Sequence, residues 1–202
     1  GDYLDDVDHI LGKLWGLENM VYINETETAI KEMEKLGNEL VHPWNLLIGF
    51  GSILIGGCAE KKEPIQKGLE NLEEFLSIKD FIWLNNLKYW GDAFIKYLDG
   101  EFDQAIESIN KADYINKWWK EDGHVWITRC YNKKQDYSKA INVGRNYLKT
   151  YPNDPLLIFE IAKAYIENAE KDKANECLTK LLGIWEDADE NYIYFQEAKQ
   201  LW

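Results

Sequence analysis

Asp5 and His9 stand four residues apart in an acidic opening that also holds Asp6 and Asp8. At that spacing a carboxylate and an imidazole share one helix face and could hold a metal ion or relay a proton. An acidic first turn set against the helix dipole explains the same residues without a ligand, so no metal is expected. The stretch LLIGFGSILIGGCAEKK, residues 46–62, offers three other chemistries. A phosphate-cradling turn needs Gly or Ala at position 54, where Leu54 stands, and a strand before it. Ile55-Gly56-Gly57-Cys58 has the form of a lipoprotein cleavage box, but acidic, well-patterned residues precede it rather than a basic leader. A membrane span needs about 20 apolar residues, and this run stops at Glu60-Lys61-Lys62-Glu63. The stretch therefore reads as a buried helix whose glycines let neighbouring helices approach.

Further candidates fall on similar grounds. Cys58, Cys130 and Cys177 are odd in number and widely spaced, which gives neither a disulfide framework nor a metal pattern. Each sits in an apolar helical context, where a thiol behaves as a small hydrophobe. His42 precedes Pro43 in a link, and His124 falls on an inward helix face. The sequon at Asn24 means little without a secretory signal. No nucleophile has a base near it in sequence, so neither enzyme activity nor a cofactor is expected. The net charge of −13 repels polyanions, which argues against nucleic acid or an anionic membrane as partner. Only residues 101–150 carry a small positive excess. A reducing, cytoplasmic setting is expected.

The elements that must position any site are helical. Apolar residues recur at three- and four-residue spacings nearly throughout, and strand-like alternation is almost absent. Asn24-Glu25-Thr26-Glu27 has the form of a capping box. Pro64 suits a first turn, and Asp154-Pro155 pairs a cap with a first-turn proline. The pattern predicts helices at 3–19, 25–40, 45–61, 65–77, 80–98, 102–114, 118–132, 137–150, 155–168, 171–184 and 189–201. Short links make them consecutive antiparallel hairpins. Trp15, Trp44, Trp83, Trp90, Trp185 and Trp202 sit among apolar neighbours and read as core. Trp118 and Trp119 point about 100° apart on a helix, so one of them can face outward.

Ala105, Ala140 and Ala174 follow the stretches GEFDQ, QDYSK and AEKDK at spacings of 35 and 34 residues. Around the second stand Ile127, Thr128, Tyr131, Tyr137 and Pro152; around the third stand Ile161, Ala162 and Tyr165. Trp90-Gly91-Asp92-Ala93-Phe94 opens the first, with a longer spacing to Ala105. These residues and their period resemble the tetratricopeptide repeat, a helix–turn–helix unit with a small residue at the close contact. The resemblance implies an all-α, right-handed superhelix of helix pairs. It is clearest over 86–184 and degenerate over 1–80, with 189–202 as a capping helix, and the single repeat domain runs 1–202. The ending resembles repeat regions of larger bacterial regulatory proteins.

In that family the concave groove is lined from the first helix of each pair. The resemblance places Asp122, Val125, Trp126, Arg129, Asn132 and Lys133 there, then Leu156, Phe159, Glu160, Lys163, Ile166 and Glu167. Arg129 and Lys163 hold the same position in successive repeats. With Asn132, Lys133, Trp126 and Phe159 they form a candidate partner-binding patch that could clamp a carboxylate or an acidic peptide. The competing reading is a charge-balanced face in which Glu160 and Glu167 neutralise these cations. The function implied is a protein–protein interaction scaffold that takes a peptide or protein segment in the groove. The alternative is a ligand-sensing domain, in which a small anion or peptide modulates an attached effector.

The register itself is open to test. If Ala140 lies at a helix crossing, Ala140→Leu overpacks it and costs roughly 1–3 kcal/mol. Thermal melting checks this, and an unchanged Tm counts against the register.

Overall fold

The computed structural model describes residues 12–14, 16–39, 45–76, 82–113 and 120–202. Among them every regular element is a helix. The helices are α1 (helical at 12–14 and 16–22), α2 (Thr26–Glu39), α3 (Asn45–Cys58), α4 (Lys62–Leu76), α5 (Ile82–Leu98), α6 (Phe102–Asp113), α7 (Lys120–Lys133), α8 (Tyr137–Leu148), α9 (Pro155–Glu167), α10 (Lys171–Ile184) and α11 (Ile193–Leu201). The chain forms two compact units, Gly1–Asp99 and Gly100–Trp202.

In the first unit, Leu14, Leu17 and Val21 of α1 meet Ala29, Met33 and Leu36 of α2 and Ile48 and Ile55 of α3 in one apolar cluster. The glycine-rich helix α3 is buried at every position from Ile48 to Gly57 except the half-buried Phe50. Its glycines act as spacers. A Cβ on Gly68 of α4 would lie 2.7 Å from the carbonyl oxygen of Gly49 on α3. At that crossing the two backbones touch, and no side chain fits between them.

In the second unit the three register alanines are all interior. Ala105 and Ala140 are fully buried, and Ala174 is nearly so. Helix α9 lies at the centre, with Leu157, Ile158, Phe159, Ile161, Ala162, Ala164 and Tyr165 all buried. Its start is fixed by the Asp154 side chain, which accepts the Leu157 N–H at 2.9 Å, and by Pro155 in the first turn. Helix α11 closes this unit through Ala198, Tyr194 and Phe195, which pack around Trp185 and Phe159.

The repeat shows most clearly in the turns. Asn24, Glu60, Gln135 and Ala169 all have positive φ, between 52° and 66°, and Gly100 has φ 79°. Each stands just past the end of an odd-numbered helix, from α1 to α9. The hydrogen bonds repeat as well. Asn24 N–H donates to Val21 and Glu25 N–H to Met20; Glu60 to Gly57 and Lys61 to Gly56; Gln135 to Asn132 and Asp136 to Tyr131; Ala169 to Ile166 and Glu170 to Tyr165. This is the Schellman arrangement, in which one left-handed residue reverses the chain and satisfies two orphan carbonyls. The pattern reaches into residues 1–80, where residue types showed it only weakly.

Several expectations shift. Asn24 closes α1 in the left-handed region instead of capping α2 from an extended one. Helix α1 runs to Tyr22, three residues past the expected end, and α11 begins at Ile193 rather than 189. Trp90 and Trp185 are core, but Trp202 is 59% exposed. Trp15, Trp44, Trp118 and Trp119 lie outside the described residues, as do His9 and His42.

A left-handed backbone costs a residue with a Cβ roughly 1–2 kcal/mol relative to glycine. Ala169→Gly is therefore expected to raise stability by about 1 kcal/mol, since position 169 is exposed and loses no packing. Chemical denaturation of the variant beside the parent measures this.

Candidate binding groove of the second unit

Helices α7 and α9 are the first helices of successive pairs and lie beside one another. One helical turn separates Arg129 from Asn132 and Glu160 from Lys163, so each pair lies on one face. Those faces meet. The Glu160 carboxylate is fully buried in the middle of the most apolar helix of the unit. Arg129 Nε donates to its Oε1 at 2.9 Å, and Lys163 Nζ donates to the same oxygen at 2.9 Å. Asn132 Nδ2 donates to Oε2 at 3.0 Å and to the Glu160 backbone carbonyl at 2.9 Å. The guanidinium also donates through Nη2 to the Tyr194 hydroxyl at 3.2 Å.

Aromatic rings surround these charges. The Arg129 guanidinium lies 4.5 Å over Trp126 and 5.7 Å from the Tyr194 ring, and the Lys163 ammonium lies 4.6 Å over Phe159. Such contacts favour a cation most where water is excluded. Burial pushes the Glu160 carboxyl toward its neutral form. The charges of Arg129 and Lys163, with the hydrogen bonds from Lys163 and Asn132, outweigh that and hold it below its ordinary range.

The six patch residues therefore take different places. Arg129, Asn132 and Lys163 converge on one carboxylate, with Trp126 and Phe159 stacked against the cations. Trp126 and Arg129 are buried, Phe159 is fully so, and Lys163 keeps 28% of its side chain exposed. Lys133 is exposed and does not join them. Both cations pair with Glu160, which balances one of their two charges; the charge-balance reading expected this pairing in solvent and with Glu167 as well, whereas it lies in the interior and Glu167 is exposed. Tyr194 was missed, because it comes from α11, 65 residues along the chain from Arg129.

One helical turn before Arg129 on α7 and before Glu160 on α9, a cleft of about 520 Å³ opens between Val125 of α7, the α8–α9 turn and the approach to α11. Val125 and Leu156, two positions assigned to the groove, line it with Tyr151, Pro152, Pro155 and Tyr192. Proline and aromatic side chains give a stiff apolar wall that loses little entropy on contact with a ligand.

Other reactive groups are quiet. Burial pushes the Cys130 thiol up to about 12, which keeps it protonated and unreactive. In the first unit Glu18, Tyr22 and Cys58 form a small polar cluster in which burial raises the Glu18 carboxyl above its ordinary value. Among the described residues, no three His, Cys, Asp or Glu side chains are placed to hold a metal ion. No described helix is long and apolar enough to cross a membrane.

No family model matches the sequence, and no curated protein matches it. Solved structures do. The TPR-like repeats of a Podosopora anserina protein described as a kinesin light chain align with 90% of this chain and 97% of theirs, at 14% identity and a TM-score of 0.52. A variant of the same protein aligns over 89% and 95%, at 14% identity and a TM-score of 0.54. The TPR domain of P58(IPK) aligns with 94% of this chain at 15% identity and a TM-score of 0.47, and the present chain covers 55% of that longer one. At 14% identity the likeness to the Podosopora repeats defines the fold alone: an all-α helical repeat of the tetratricopeptide type.

Removing one member of a buried ion pair strands the other. Glu160→Ala is therefore expected to cost about 3–5 kcal/mol, while the paired change Arg129→Met with Glu160→Met costs much less. The sign with pH follows from the depressed carboxyl. Its contribution is present above its ordinary value of 4.5 and is lost as pH falls through the lower folded value. Denaturant melts from neutral to acid pH should show the parent and Glu160→Ala converging at the acid end.

Proposed function

We propose that the chain is a protein–protein interaction scaffold whose second unit takes a peptide or protein segment in the groove formed by α7, α9 and the approach to α11. In this reading it works as the repeat region of a larger bacterial regulatory protein in the cytoplasm. One observation carries the proposal. Val125 and Leu156, which come from successive repeats and which the repeat register assigns to the groove, open onto one cleft walled by Tyr151, Pro152, Pro155 and Tyr192. Its volume suits a few side chains of an extended segment.

Two parts of the groove have different roles in this proposal. The cleft supplies apolar contact area and holds the anchoring side chains of the segment. The exposed Lys133 is left to steer or orient it. The buried set of Arg129, Asn132 and Lys163 supports recognition of an acidic group only if that group displaces Glu160.

Selection from a displayed random-peptide library, followed by calorimetry with the selected peptides, tests the reading. Leu156→Asp and Tyr192→Ala should each weaken binding by about tenfold or more, since hot-spot residues contribute on the order of 2 kcal/mol. Both side chains are half-buried, and the melting temperature of each variant serves as the folding control. Selected peptides that bind both variants as tightly as the parent would sink the groove reading.

A further inference from the structure

Three donors from two successive repeats meet around a single carboxylate, and a tyrosine from the closing helix accepts from one of them. The geometry is that of a bound ligand. One oxygen takes both cationic donors at 2.9 Å, and the other takes an amide at 3.0 Å. The carboxylate belongs to Glu160, which the repeat register assigns to the groove and which is fully buried. Stability alone does not require this arrangement, because apolar side chains of similar volume fill such a space at equal or lower cost. Nor is the seat sealed, since Lys163 reaches solvent on one side.

We propose that the Glu160 carboxylate is a resident ligand in the groove's own anion seat, and that it turns the groove away from acidic segments and toward neutral and basic ones. With Glu160 in place, both cationic donors are already engaged and the net charge of the seat falls from +2 to +1, so an incoming acid finds no open pair of donors. An acid would have to push a fully buried carboxylate aside without a new partner for it. The surroundings act in the same direction. Tyr192 lines the cleft, its backbone N–H donates to the Asp189 carbonyl at 2.9 Å, and the exposed Glu186, Asp187, Asp189 and Glu190 lie in the segment that leads to it. Of these, Glu190 is paired with Lys199. These acids, with Asp154 in the cleft wall, outnumber the Lys180 ammonium that donates to the Pro152 carbonyl there, so a basic segment meets the more favourable field and an acidic one the less favourable.

The seat can be tested without a partner. Glu160→Ala removes the atoms that free acetate would replace. Acetate should restore the melting temperature of this variant, or its folding if it is unfolded in plain buffer, while chloride at matched ionic strength does not. Restoration by chloride and acetate alike, or by neither, overturns the seat. The charge preference rests on the function proposed above and has its own readout. Each selected peptide is made in a Lys-bearing and a Glu-bearing version and titrated into the parent and into Glu160→Gln. The parent should prefer the Lys version by about tenfold or more, and Glu160→Gln should lose or invert that preference. An unchanged preference overturns the role of Glu160 and leaves groove binding intact. If no peptide binds either protein, the groove function and the charge preference fall together, and acetate rescue still decides whether the seat exists.

Discussion

Two helices joined by a short turn can bury their facing stripes only if their axes come within about 8–10 Å. Nearly everything else in this chain follows from that approach. It demands small residues at the crossings, and in the second unit the three register alanines, Ala105, Ala140 and Ala174, are all interior. In the first unit it is taken to its limit where Gly68 meets the backbone of Gly49. The turn must also reverse the chain without lengthening it, which one left-handed residue does while closing the carbonyls of the preceding helix. Four of the five residues that do this are not glycine. Tertiary packing thus holds a backbone conformation that local preference resists.

Close approach within pairs also decides what happens between them. With α7 and α9 side by side, residues that would face solvent on a lone hairpin become interior. Glu160 is the sharpest case. A carboxylate in the middle of an apolar helix is tolerated because Arg129, Lys163 and Asn132 arrive from the same face of the stack. None of these groups would be stable there alone; together they pair the carboxylate, while the buried Asn132 Oδ1 is left without a hydrogen-bond partner. Tyr194 adds a contact from α11, accepting from the guanidinium, which links the closing helix to the polar centre of the unit.

This arrangement divides the groove. The cation set is engaged internally, so in the proposed function recognition falls to the apolar cleft and to the charges around its rim. In that proposal the area in the cleft supplies affinity, while the rim charges govern which sign of partner approaches.

The sequence by itself determined the helices, the pairing and the all-α class. Those depend on local periodicity, on caps such as Asp154-Pro155 and on small residues spaced 35 and 34 apart, all properties of neighbouring residues in the chain. It also brought Arg129 and Lys163 together, since equivalent positions in successive repeats must be neighbours. What it left open was the state of those cations, with Glu160 standing among the possible partners and a free clamp as the other outcome. Only the tertiary structure decided that, because burial of a charge depends on residues from α7, α9 and α11 meeting in space. The weak repeat in residues 1–80 is a second instance. Its signal lies in the left-handed backbone at Asn24 and Glu60, a conformation that several residue types can adopt once packing holds it, so residue identity could not announce it.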